Sequence, residues 1–237
     1  REDVTLQVAN RRESLLRKVN RTFRDTPSGS PLIEAMDKFG QQAHQMITSP
    51  KAQLAFAVDK EPESIRKRFT SDSLNQSCML ACRLIQHGTR FVSVTNAGWD
   101  THLDNFIGHK RLLQPLDNAL LATISTLKDK GILDRTLVVI MGEFGRTPNI
   151  NANAGRDHFP RVNWCLMAGG GVATSRLVGS TNKNGDAPSD DTQISPDDIT
   201  ATIYHTLGIP AHKEYITPSG RPVTLVPEGR VLNEVFA

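Results

Sequence analysis

Thr136-Leu137-Val138-Val139-Ile140-Met141-Gly142-Glu143-Phe144-Gly145-Arg146 is an apolar run that stops abruptly in glycine and charge. A short aliphatic run bounded by a turn signal predicts a strand over 136–141. Working outward, residues 90–96 read as another buried strand, and 105–130 as a long helix ending at Gly131. Downstream, 163–168 reads as a third strand, closed by a tight turn at Gly169-Gly170-Gly171, and Ser195-Pro196 opens a helix that ends near Gly208. Strands that alternate with helices predict an α/β fold: a mainly parallel sheet flanked by helices.

The first ninety residues carry no strand signal. Amphipathic periodicity and Pro at helix starts predict helices over 4–24, from Ser30-Pro31 to about Thr48, from Ser49-Pro50, from Glu61-Pro62, and over 71–87. A helical region, 1–89, is therefore expected to pack on an α/β core, 90–237, as one structural domain, which a length of 237 residues suits.

Composition narrows the function classes. With 22% charged and 38% hydrophobic residues the chain can build a core, and a net charge of +3 is too small to imply a nucleic-acid partner. Arg11, Arg12, Arg17, Lys18, Arg21 and Arg24, interleaved with Leu15, Leu16 and Val19, read as a solvated helix face. No apolar window is long enough for a membrane span, and the first residues are not a signal peptide. The sequence begins at Arg1 without Met, so a mature or excised portion of a longer product is expected. Cys78, Cys82 and Cys165 match no CxxC or zinc-ribbon spacing and read as small buried hydrophobes.

Chemistry gathers where predicted strands give way to loop. Asp100 and His102 stand two apart in extended chain, so their side chains leave the same face. Either they share a metal ion, or Asp100 caps the next turn while His102 packs. Trp99 points to the opposite face. Glu143 is either a ligand or base, or the ion-pair partner of Arg146, whose planar fork also suits a tetrahedral oxyanion. Adjacent Asp157 and His158 point in different directions, so that one can ligate while the other orients it. The glycine triplet lacks the GxGxxG spacing, and the polar stretch from Ser180 to Ser195 does not match an EF-hand; both read as turns or surface loop. His44, His87, His109, His205 and His212 read as structural or exposed.

The phrases FVSVTNAGWDTHLDN, LVVIMGEFGRTPN, GRDHFPRVNWCLMAGGGV, RLVGSTNKNGDAP and DDITATIYHTLGIP resemble a bacterial family of unknown function, domain of unknown function 1501, often described as sulfatases and placed in the alkaline phosphatase and sulfatase superfamily. The resemblance covers nearly the whole chain. It implies an alkaline-phosphatase-like fold and a metallohydrolase activity on phosphate or sulfate esters, small or glycan-borne, with zinc, manganese or calcium as cofactor. By the same resemblance Asp100, His102 and His158 are ligands of one metal, with Asp157 beside them. Glu143 stands where the superfamily has the Asp of an Asp-His pair, and Phe144 replaces the His, so one metal site is legible in this chain and the second is not. The resemblance further places Arg146 or Arg156 on the anion, locates the nucleophile upstream of this sequence, and implies twin-arginine export to the periplasm or beyond.

Two function classes follow: a metal-dependent hydrolase of phosphate or sulfate esters, and a non-catalytic member that binds a metal, a glycan or a protein.

Overall fold

The computed structural model describes residues 5–24, 31–189 and 193–236, in two compact units. The first comprises 1–66 and 79–93 and the second 67–78 and 94–237. Ser30 and residues 190–192, on which two of the expectations above partly rest, lie outside the described residues.

The first unit is helical: α1 (Leu6–Arg24), α2 (Pro31–Thr48), α3 (Pro50–Phe56), α4 (Glu63–Arg66) and the later part of α5 (Ser73–Gln86). The Ser-Pro signal works at α3 as expected. The Ser49 hydroxyl accepts from the Ala52 amide at 3.4 Å, and Pro50 occupies the first turn, where a missing N–H costs nothing. The far end of α3 is closed by a side chain from α5. Arg83 donates to the carbonyls of Leu54 and Ala55 and pairs with Glu61, and both charged residues are buried. A cation suits the last turn of a helix, whose carbonyls lack partners of their own. On α1, Arg11, Arg12, Arg17 and Lys18 are exposed, and so are Leu15 and Leu16; the side chains of Val19, Arg21 and Arg24 lie outside the described residues.

In the second unit, α6 (Asn105–Asp129) carries an internal proline, Pro115, whose carbonyl accepts from the fully buried Asn75 amide at 3.1 Å. Asn118 donates to Asn75 Oδ1 at 2.7 Å and to the Arg68 carbonyl at 3.0 Å, so this buried amide is satisfied from several sides. The helix α7 (Pro196–Thr206) opens with a reciprocal capping box between Ser195 and Asp198. Its Ala201 face packs on Ala211 and Val226, flanked by Tyr204 and Leu225. The Asp198 carboxylate also accepts from the Arg230 amide at 2.8 Å. Burial opposes its ionisation, but the bonds from Ser195 and Arg230 outweigh burial and hold its pKa below the ordinary value.

The expected parallel, alkaline-phosphatase-like sheet is not there. Among the described residues every sheet is two-stranded and antiparallel. The strand β1 (Val138–Met141) pairs with β4 (Cys165–Ala168), with Val138 opposite Ala168 and Met141 opposite Cys165. Nested inside, β2 (Gly145–Arg146) pairs with β3 (His158–Phe159), Arg146 facing His158. A third pair, β5 (Glu214–Ile216) with β6 (Pro222–Thr224), is a separate hairpin. The physical reason lies in the connection. Parallel neighbours need a crossover, usually a helix, whereas 142–164 contains no helix and doubles back on itself. Residues 90–96 form no strand at all, and Phe91 is exposed. The second and third expected strands are thus the two sides of one antiparallel ribbon. The glycine triplet turns the chain at its base, with φ of 71°, 59° and 84°, a region open to glycine.

Candidate metal centre

The ribbon's far end builds the site. Beyond Arg146 and His158 the chain forms the loop 147–157, which docks on the segment 99–105 through main-chain bonds. The Asn105 amide donates to the Ala154 carbonyl at 2.8 Å, the Arg156 amide to Thr101 at 3.1 Å, and the Asp104 amide to Asn153 at 3.1 Å. Contact is so close at Gly155 that an added Cβ would lie 1.8 Å from the His102 carbonyl oxygen. Asn151 ties the same elements by its side chain. Its amide donates to the His102 carbonyl at 3.2 Å and to Asp157 Oδ1 at 3.1 Å, and its oxygen accepts from the Asn153 and Gly155 amides at 2.9 Å.

This docking brings Asp100, His102 and His158 together, with one ligand-type atom from each within 4.8 Å of the others. His102 Nε2 and His158 Nε2 each stand 3.0 Å from Asp100 Oδ1, and the two nitrogens are 3.2 Å apart. Four ligands around a zinc ion at its usual bond lengths stand about 3.3 Å apart, so the triangle has the right size for one face of such a site. The donor set fits as well. Asp157 Oδ1 lies 3.1 Å from His102 Nδ1, placed to accept a hydrogen bond from it; in the tautomer with Nδ1–H, Nε2 carries a bare lone pair aimed at its neighbours. Asp100 Oδ1 and the two Nε2 atoms then converge with at most one N–H among them, an arrangement that a cation at the centre would relieve. Asp157 stands behind His102, where a carboxylate holds an imidazole ring in place.

Arg146 and His158, opposite each other on the ribbon, both reach Asp100. Arg146 Nη1 pairs with Asp100 Oδ1, and Nη2 with Glu143 at 3.1 Å. The Arg146 guanidinium, then the His158 ring, hold the Asp100 carboxyl down to about 2. Bonds from His102 and Asn151 lower Asp157 in the same way. Phe144 packs against His158 with ring centroids 4.4 Å apart and planes tilted by 54°, and cannot coordinate. Arg156 turns away from the cluster and donates to the carbonyls of Thr147 and Pro148 at 2.5 and 2.6 Å. Trp99 is half-buried against His109, with its indole N–H on Asn96 at 2.8 Å. Thr101 Oγ1 donates to Asn105 Oδ1 at 2.7 Å and lies 3.3 Å from His109 Nε2, which makes His109 a neighbour of the site. His212 contacts the Val226 carbonyl at 3.0 Å and His205 packs on Phe236.

Asn151 and Gly155 are the positioning residues that the sequence reading missed. Their signal, an Asn-rich turn ending in Gly directly before Arg156-Asp157-His158, is visible only once the loop is known to dock on His102.

Fold and site together define a chain whose candidate cation centre joins an antiparallel ribbon tip to the segment before a long helix. The chain belongs to the family described as protein of unknown function DUF1501, whose sequence model matches residues 1–236. No curated protein and no solved structure matches it. Among the described residues no helix is long and apolar enough to cross a membrane.

Proposed function

We propose that this chain provides the metal centre of a hydrolase acting on phosphate or sulfate esters. The observation that carries the reading is the triangle of Asp100, His102 and His158, with Asp157 behind His102. Two imidazoles and one carboxylate suit zinc or manganese better than calcium, which prefers oxygen ligands. A divalent cation held there would polarise a phosphoryl or sulfuryl oxygen as a Lewis acid. The protein's own contribution is positional. Asp157 fixes the tautomer of His102, Arg146 holds the Asp100 carboxylate, and Asn151 locks His102 to Asp157. Glu143, 59% exposed at its side chain, stands beside the cluster on the same arginine and is the nearest candidate to assist a water.

A second reading has its own support. Phe144 packs on His158 where a further ligand would be needed, which favours a single-metal binding member without hydrolysis. Because the resemblance places the nucleophile upstream of this sequence, the aryl phosphate and aryl sulfate assays that separate the two use the zinc- and manganese-loaded protein with its upstream segment. Metal-dependent turnover that disappears in His158→Ala supports the hydrolase. Stoichiometric metal without turnover, on a panel of both ester types, supports the binding member.

A further inference from the structure

Resting on that reading of the cluster as a metal centre, we propose that Arg111 receives the anionic group of the ligand. A hollow of about 400 Å³ lies directly against the cluster, walled by Asp100, Thr101 and His102 on one side and by the first turns of α6 on the other. Asp104, Ile107, Gly108 and Arg111 all line it, at the spacing that places residues on one face of a helix. Gly108 keeps this wall low, since a Cβ there would meet Thr101 Cγ2 at 2.9 Å.

Charge gives the hollow its direction. Arg111 is exposed, and among the described residues no hydrogen bond or ion pair engages its guanidinium. Arg146 and Arg156 are different: the first is held between Asp100 and Glu143, the second by two carbonyls. A second hollow of about 700 Å³ borders the cluster on the Asp157 side, and its lining of Asn149, Asn151, Asn184, Asp186 and their neighbours contains no lysine or arginine. The charged end of a ligand is therefore directed to the Arg111 side, where a planar fork can donate two hydrogen bonds to a tetrahedral oxyanion. Asp100 and Asp104 also line the hollow, so it repels an anion until a cation occupies the cluster.

The test is calorimetric titration of phenylphosphonate, which is not hydrolysed, into the zinc-loaded chain and its variants. Arg111→Ala is expected to weaken binding about tenfold to a hundredfold, the worth of charge-assisted hydrogen bonds, while zinc stoichiometry and circular dichroism stay unchanged. Arg111→Lys recovers part of the affinity, because a point charge replaces the fork, and the metal-free wild type binds weakly or not at all. Wild-type phenylphosphonate affinity in a zinc-loaded Arg111→Ala protein overturns the assignment of Arg111 and leaves the metal centre standing. A wild-type chain that takes up no zinc overturns the metal reading itself, and this inference with it.

Discussion

Replacing Gly155 by alanine tests how the site is assembled. The new Cβ would lie 1.8 Å from the His102 carbonyl oxygen, 2.0 Å from its carbon and 2.6 Å from the Leu103 nitrogen, all backbone atoms that cannot swing away. Restoring van der Waals contact requires the loop and the 99–105 segment to part by about 1.5 Å. That movement breaks the bonds Asn105 to Ala154, Arg156 to Thr101 and Asp104 to Asn153. At about 1 kcal/mol each they sum to about 3 kcal/mol, or roughly 6–12 °C in melting temperature for a unit of this size. Because His102 rides on one side of the joint and Asp157 and His158 on the other, the triangle opens and zinc affinity falls with stability. Differential scanning calorimetry and zinc titration read both effects. Alanine at Gly40, in α2 with nothing near its built Cβ, changes stability in the opposite direction by about 0.5–1 kcal/mol. A Gly155→Ala protein that melts with the wild type and binds zinc as tightly would mean that the loop and the 99–105 segment are not held together by this close contact.

Further outcomes follow from the same contacts. Asp157→Asn, which weakens the partner of His102 Nδ1 without changing its shape, should lower zinc affinity about tenfold to a hundredfold by titration, with little change in melting temperature. Glu61→Ala leaves the buried Arg83 charge without its carboxylate and should cost about 3–5 kcal/mol in urea unfolding; a loss under 1 kcal/mol would mean that the carbonyls of α3 suffice for that cation. Asp198 stabilises the folded chain as a carboxylate with a lowered pKa. Its contribution is complete above the ordinary value of 3.8 and fades as pH falls through the lower folded value, so Asp198→Asn should flatten the acid limb of the stability profile below about pH 4. An unchanged acid limb in that variant would remove the capping carboxylate from the account.

Several helix starts can be read directly from local chemistry. Ser49-Pro50 and Ser195-Pro196 mark helix starts to within a residue, because a cap and a proline act on their own turn. The sheet cannot be read that way. A four-residue aliphatic run such as Val138–Met141 carries no information about the direction of its partner, and that direction is set by whether the following segment forms a crossover helix. The stretch 142–164 contains no helix, so the chain returns beside β1 in the antiparallel sense. In the site, the shared side of Asp100 and His102 can be read locally, since side-chain direction alternates along extended chain, whereas Asp157 bonds to the distant His102 and not to the adjacent His158. Gly155 and Asn151 cannot be read locally, because their roles exist only across the docked joint. The Glu143–Arg146 ion pair is one of the two local readings of Glu143, and it forms, whereas the second carboxylate on Arg146, that of Asp100, and the two carbonyls on Arg156 depend on where the loops fall.

The most direct measurement is elemental analysis of the purified protein beside His102→Ala, after incubation with zinc, manganese or calcium and removal of the excess. About one zinc or manganese ion per chain is expected, lost in the variant while its circular dichroism is retained. No bound metal in the wild type, or equal metal in both proteins, would contradict a metal centre at His102.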